Sequence, residues 1–445
     1  PVVREVVQAA FDAGARTQIV PGLFEILSER VSVTAIREVQ IEDLLRRDVI
    51  QTDLAEVQRL ALRRTVLVTG GGGSIGSEIC ARALAFGASA ILVVESSEPA
   101  LHGILSQPVL ANAEAEVTGA LADIRDRDRL HAVFAEFRPD YVFHAAALKQ
   151  VPYLERDWTE GIKTNVFGSI NVADATIAAG ARALVMISTD KAIEPVSQLG
   201  VTKRFAEMYA QALDAEQGTE QAAEQGPEQA AEGAQRPTRL IAVRFGNVLG
   251  SVGSVVPVFK AQIARGGPVT VTHPDMVRYF MTVREAADLV LTAASHADRE
   301  ARAIPAGPSA DQRAAVYVLK MGQPVRIREL AERMIRLAGF EPGDEIEILT
   351  TGARPGERLN EILFAREEPR VTLDGIDGVM AAKPVFADRI VLEGWTERLR
   401  RAVATGDRAA AEAVFEDAIP DFRDRVAAGA ASAEASRTEP AATPA

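Results

Sequence analysis

The run Thr69-Gly70-Gly71-Gly72-Gly73-Ser74-Ile75-Gly76 joins two segments of different periodicity, and that junction restricts the chain to few architectures. Before it, Thr65 to Thr69 is a short apolar run of strand length. After it, Ser77 to Phe86 continues the helical apolar spacing set by Ile75, Ile79 and Leu84. A strand turning through glycines into a helix is suited to a dinucleotide. Missing side chains let the turn close and let backbone N–H groups approach a pyrophosphate, which also meets the positive end of the helix. Gly70, Gly73, Ser74, Ile75 and Gly76 are therefore candidate cofactor contacts, and Gly87 caps the helix.

Further apolar runs alternate with helical stretches at Ala90 to Glu95, Glu116 to Ala120, Asp140 to His144, Ala183 to Ser188 and Arg239 to Phe245. This alternation predicts an α/β fold, a Rossmann-type doubly wound parallel sheet built with right-handed crossovers. Residues 61–245 form its dinucleotide-binding part. Residues 246–426, without regular alternation, form a smaller α/β substrate-binding lobe over the strand carboxyl ends, followed by C-terminal helices. Residues 1–60 read as a partial domain and linker. The Glu/Gln/Ala/Gly tract at 214–237, too poor in aliphatic groups to offset ordering entropy, is expected to be a disordered insertion. A surface loop is expected over Ala297 to Ala315, and a disordered tail over 427–445.

The second strand ends at Glu95, 19 residues beyond Gly76, where a carboxylate can accept hydrogen bonds from the adenosine ribose and repel a 2′-phosphate. This favours NAD over NADP. Asp123 and Ile124 after the third strand could line an adenine pocket or cap a helix. Ala145, Ala146 and Ala147 after the fourth allow close passage of a cofactor, or simply tight packing.

A net charge of −13 disfavours a nucleic-acid partner, so an anionic ligand must meet a local basic pocket. Cys80, the single cysteine, lies in an apolar helical run and reads as core filler; five scattered histidines show no metal-ligand spacing, and no metal is expected. No run of about 18 apolar residues is present. The chain begins at Pro1 and is read as a fragment or processed product, in a reducing cytoplasmic setting or on the cytoplasmic membrane face if a preceding segment anchors it.

Chemistry concentrates at the fifth strand, which ends in Ser188-Thr189-Asp190-Lys191, with Lys203 twelve residues beyond Lys191. A hydroxyl, a carboxylate and an amine at the cofactor edge form a plausible acid–base set. Here the chain resembles the polysaccharide-biosynthesis nucleotide-sugar 4,6-dehydratases of the extended short-chain dehydrogenase/reductases. The matching motifs are Thr69 to Glu78, His144 to Pro152, Ser188 to Lys203, Arg244 to Ser251 and Gly352 to Arg358.

The resemblance implies oxidation of a UDP-sugar, by expectation UDP-N-acetylglucosamine, at C4, loss of water across C5 and C6, and return of the hydride to C6. It makes Lys191 the C5 base, Asp190 the acid at the C6 hydroxyl, and Thr189 a hydrogen-bond partner near the C4 oxygen. Lys191 would act as a neutral amine, encouraged by burial and by cations such as Lys203. Lys149, Asn165 and Lys203 are placed on the cofactor. Lys149, Asn247, Val248, Ser251, Arg278, Arg354 and Arg358 are placed on the substrate, the last two as diphosphate ligands or as ordinary surface arginines. Leu199 stands where most short-chain dehydrogenases have a tyrosine, which leaves the C4 oxidation base unassigned. Val252 and Lys320 depart from more usual residues. The first segment resembles the end of an additional nucleotide-binding-like domain, and a homo-oligomer is expected. A C4 epimerase of the same fold and a cofactor-binding regulator without catalysis remain as alternatives.

Overall fold

The strands form because their apolar residues alternate between two layers of helices. In β1 (Thr65–Thr69), Val66 and Val68 enter the core on one face of the sheet and Leu67 enters the core on the other. The computed structural model describes residues 54–224, 237–302, 315–365, 368–373, 376–420, 422 and 424–427, together with Val6 and an antiparallel pair, Gln18–Ile19 and Arg37–Glu38.

After β1 come β2 (Ala90–Glu95), β3 (Glu116–Leu121), β4 (Tyr141–His144), β5 (Ala183–Ile187) and β6 (Arg239–Arg244), all parallel. The expected strands are present within one or two residues at their ends. With β7 (Val316–Leu319), β8 (Arg370–Thr372) and β9 (Val379–Ala382), the sheet order is 8-9-7-6-5-4-1-2-3. The chain order reverses between β1 and β4, and a crevice opens there at the carboxyl ends.

Strands β7 to β9 correct the expected division at residue 246. β7 pairs parallel with β6 and β9 pairs antiparallel with β7, so part of the second half completes the first half's sheet. The reason is the edge of β6, whose N–H and C=O groups need partners. A smaller lobe with its own core does exist, built on residues such as Val256, Phe259, Val271, Phe280 and Leu330.

One face of the main sheet is covered by α1 (Leu54–Ala61), α2 (Ser74–Ala85) and α4 (Val283–Arg302). The opposite face packs against α3 (Gln198–Glu224), α5 (Arg389–Thr405) and α6 (Arg408–Ala418). Phe415 of α6 meets the Phe205 ring of α3 edge-on at 6.3 Å, tying the chain's last helices to the sheet. Burying such a ring contributes about 2–3 kcal/mol. Cys80 is buried in α2, and burial pushes its thiol up to about 12, so it packs as an inert side chain.

Two loop expectations need correction. Helix α3 continues through Asp214 to Glu224, and α4 continues through Ala297 to Arg302. Asp214 is buried and accepts from Arg239 Nε at 2.9 Å and Leu240 N at 2.8 Å, a long-range anchor that local composition does not reveal. The remainders, 225–236 and 303–314, lie outside the described residues, as does the expected tail beyond Ala427. Among the described residues no helix is long and apolar enough to cross a membrane.

The Asp214 anchor predicts that Asp214→Ala, which removes a carboxylate 2.9 Å from the fully buried Arg239, lowers stability by about 3 kcal/mol. A urea-unfolding midpoint within error of the parent would contradict this.

Candidate active site

The turn after β1 depends on two glycines. Gly70 has φ +67°, and a Cβ there would lie 2.6 Å from the Ala146 Cα and N; a Cβ on Gly76 would lie 2.4 Å from the Gly70 carbonyl oxygen. Gly73 occupies the N-cap of α2, leaving that helix's first N–H groups facing the crevice. The β1 and β4 ends are fastened by a buried imidazole: His144 Nδ1 lies 2.7 Å from Thr69 Oγ1 and Nε2 2.9 Å from Ser169 Oγ. Burial and the neighbouring Lys203 cation push His144 down to about 3, so it is neutral and structural.

Two cavities meet at this turn. The first, of ≈ 450 Å³, is lined by Gly70, Gly73, Glu95, Asp123, Ile124, Ala145 and Ala146. Glu95 closes onto backbone, Oε2 accepting from Gly72 N at 3.1 Å and Oε1 from Ser96 N at 2.9 Å and Ser97 N at 3.1 Å. Asp123 pairs with Arg125, whose hydrogen bonds hold its carboxyl below the usual range. Arg125, which also reaches Glu160 at 2.9 Å, carried no sequence signal.

The second cavity, of ≈ 530 Å³, is lined by Gly70, Gly73, Ser74, Ile75, Gly76, Ala145, Lys149, Thr189, Lys191, Leu199, Lys203, Asn247, Val248, Ser251, Arg278 and Arg354. Residues from the two expected halves thus converge on one space. Val252 stands at its rim, and its N–H reaches Ser74 Oγ at 3.4 Å. Lys149 is exposed at the cavity mouth, where partial desolvation by its surroundings lowers its pKa. Lys203 is buried, donates to the Ile187 carbonyl at 3.0 Å, and is brought down to about 8 by burial.

Asp190 lies beneath the cavity wall. Its Oδ1 accepts from Thr189 Oγ1 at 3.0 Å and Lys191 Nζ at 2.9 Å, while Oδ2 is buried with no partner. Burial, with Glu361 adding to it, raises Asp190 against the pull of Lys191, so this carboxylate takes up a proton more readily than one on the surface. Lys191 differs from expectation. Burial alone would favour its neutral form, but Asp190 and Glu361, the latter at 3.1 Å, outweigh burial and hold the resting amine charged. Glu361 had no counterpart in the motif reading.

Two expected residues, Asn165 and Arg358, stand elsewhere, as does Lys320, which departs from the more usual residue. Asn165, in the π-helical turn Ile162–Gly168, binds the Leu148 backbone, accepting from its N–H at 2.9 Å and donating to its carbonyl at 3.0 Å. It supports the strand-end segment and lines neither cavity. Arg358 donates to the carbonyls of Ile193 and Glu194, so its guanidinium secures the turn after Lys191 instead of facing the cavity with Arg354. Lys320 pairs with Asp377 at 2.7 Å, outside the lining.

A family model described as polysaccharide biosynthesis protein matches residues 66–383. The chain belongs to that family. Its relatives include the capsular polysaccharide biosynthesis protein CapD of Staphylococcus aureus, 41% identical over 351 residues, covering 78% of this chain and 53% of CapD. The chain thus spans about half the length of that curated relative. Two relatives at 30% identity carry names of different reactions. A UDP-N-acetylglucosamine 4,6-dehydratase (inverting) of Campylobacter jejuni covers 70% of this chain and 80% of its own. A UDP-glucose 4-epimerase of Rickettsia conorii covers 71% and 84%. Among solved structures, Pen from Bacillus thuringiensis is similar with a TM-score of 0.58 and 29% identity, over 74% of this chain and 92% of that one. Membership in the family thus embraces nucleotide-sugar dehydratases and epimerases alike.

The turn geometry predicts that Gly76→Ala forces the loop open while the sheet survives. Titration with NAD, followed by protein fluorescence, should show at least about tenfold weaker binding, with an unchanged circular dichroism spectrum. Binding at parental affinity would remove the turn from the site.

Proposed function

We propose that this chain is a nucleotide-sugar 4,6-dehydratase that uses NAD as a recycled cofactor and takes UDP-N-acetylglucosamine as substrate. The observation that carries the reading is the buried Asp190, its proton affinity raised, in contact with the Lys191 amine at the edge of the cavity that also contains the glycine turn. Fit to a dinucleotide is supported by the tight turn that only glycine at 70 and 76 lets close beside the cavities, and by Glu95 in the adjoining cavity. When bound, the nicotinamide would take hydride from C4 and return it at C6.

The chain's own residues then account for the loss of water. A C4 ketone acidifies the C5 proton, so elimination needs a base at C5 and an acid at the C6 hydroxyl. Lys191 Nζ lies 2.9 Å from Asp190 Oδ1, and passage of one proton along that contact yields a neutral amine and a carboxylic acid together. Lys191 then takes the C5 proton as Asp190 gives its proton to the departing C6 hydroxyl, which leaves as water. As hydride would return to C6, Lys191, its proton exchanged with solvent, protonates C5; the proton lost from the C4 hydroxyl on oxidation makes up for the one Asp190 gave to water, and the charged Lys191 and ionised Asp190 are restored. Thr189, already hydrogen-bonded to Asp190, would bind the C4 oxygen. Lys203 supplies positive charge beside the nicotinamide ribose. Arg278 and Arg354 are the guanidinium groups available to the diphosphate. We place the reaction in bacterial glycan biosynthesis, on the cytoplasmic side.

A second reading, C4 epimerisation, is favoured by the epimerase relative at the same identity. It leaves Asp190 and Lys191 without work, because returning hydride to C4 needs no elimination.

Incubation with UDP-N-acetylglucosamine in deuterated water should give a 4-keto-6-deoxy product labelled at C5; an N-acetylgalactosamine product would establish epimerisation instead. Lys191→Ala and Asp190→Asn should each reduce turnover by at least about a hundredfold while keeping NAD bound. Near-parental turnover in either variant would sink these assignments.

A further inference from the structure

Glu361 is a buried carboxylate in the loop that follows Arg358, and its side chain is 3% exposed. Its Oε1 lies 3.1 Å from Lys191 Nζ and 3.5 Å from Arg278 Nε. Lys191 is therefore gripped from two directions, by Asp190 from its own strand end and by Glu361 from a segment 170 residues away in sequence. Burial disfavours charge on Glu361, but Lys191, Arg278 and Arg358 overcome this and keep it ionised. The charged groups that face Lys191 are Asp190, Glu361 and Arg278, with Arg358 acting on Glu361 from the far side.

We propose that Glu361 is a positioning residue that clamps the Lys191 amine against the cavity wall and sets how tightly that amine holds the proton it must pass to Asp190, and so the pH at which the pair loses it. The inference rests on the dehydratase reading. Passing the Lys191 proton to Asp190 moves positive charge away from Glu361, so an ionised Glu361 opposes the transfer and holds the site at rest. A neutral side chain of the same shape removes that opposition. The Arg278 cation, 3.5 Å from Glu361, joins the clamp to the wall of the cavity where Arg278 stands. Substrate that engages Arg278 would weaken its hold on Glu361, which couples occupancy of the cavity to the state of the base.

The test is kcat against pH for the parent, Glu361→Asp and Glu361→Gln, with bound nicotinamide followed by fluorescence to show that each variant is assembled. The falling limb, on which the Lys191–Asp190 pair loses its one shared proton, belongs to Lys191. It should move to lower pH by about one unit in Glu361→Gln, a tenfold change in its proton affinity. Glu361→Asp, which retracts the charge by one methylene, should move it the same way by less. KM should change by less than about threefold, since no contact to substrate is removed. A role confined to packing would lower kcat or stability without moving the midpoint. An unmoved midpoint in every assembled variant overturns the proposal. A parent that binds NAD yet yields no 4-keto-6-deoxy product overturns the dehydratase reading itself, so the two failures are distinct.

Discussion

Glu207 carries a charge with no access to water, and two ends of the active-site wall are built on it. Its carboxylate accepts from Ser188 Oγ at 2.6 Å, from Arg244 Nε at 2.8 Å and Nη2 at 2.7 Å, and from Arg204 Nη1 at 3.2 Å. A buried carboxylate is costly unless it is paired and hydrogen-bonded, and here burial is outweighed by Arg244, Ser188 and Arg204. Ser188 leads from β5 into Thr189, Asp190 and Lys191; Arg244 leads from β6 into Gly246, Asn247 and Val248. Fastening both to one side chain of α3 fixes the spacing between the acid–base segment and the segment that opens the smaller lobe. Arg244 also holds Glu368 at 2.7 Å and Arg204 holds the Val385 carbonyl, so the same cluster anchors the returning chain.

Helix periodicity makes this cluster functional as well as structural. Lys203 and Glu207 are four residues apart on α3 and share a face, so the carboxylate that locks the strand ends also orients the turn carrying Lys203. Two lysines in one cavity then acquire opposite tendencies from their partners. Lys203 has a backbone carbonyl at its tip and is brought down to about 8; Lys191 sits between two carboxylates and stays charged. The difference is one of neighbours more than of burial: Lys203 is 5% exposed and the Lys191 side chain 21%, so both amines lose much of their hydration. It divides the wall into an amine that can supply modest positive charge near the turn and an amine whose proton is held in reserve beside Asp190.

Much of this arrangement is legible in residues close together in the chain. The six parallel strands show as apolar runs separated by helical spacing, and the roles of Gly70 and Gly76 follow from a turn that must let backbones approach within van der Waals distance. Thr189, Lys191, Lys203 and Asn247 reach one cavity because doubly wound sheets gather their strand carboxyl ends. What local pattern lacks is pairing at a distance. The return of β7 to β9 to the main sheet satisfies the edge of β6, which no periodicity records. Asp214 looks like part of a polar, low-aliphatic tract until Arg239 is seen against it. Arg125 and Glu361 are single charged residues without a spacing signature, and only the fold shows what each one meets. Lys191 was expected among cations, and its charge state changes because the nearest groups are anions.

The loop from Arg354 to Glu361 shows why a motif can be matched and still be misread. Its guanidinium groups invite assignment to a diphosphate, and Arg354 does line the cavity. A guanidinium is, however, an equally good donor to carbonyl oxygens, and Arg358 spends its N–H groups on Ile193 and Glu194, directly after the turn Asp190–Ala192. That turn determines where the Asp190 carboxyl and the Lys191 amine point. Gly356 adds to the constraint: at φ +77°, a Cβ there would meet Glu155 and Ser197 at 2.9 Å, so the loop can lie close against the start of α3 only with glycine at its bend. Arg354, Arg358 and Glu361 thus meet the cavity, the backbone and the Lys191 amine in turn. In the proposed reaction such a loop binds less substrate than its charges suggest, and does more to hold Asp190 and Lys191 at a distance across which one proton can pass.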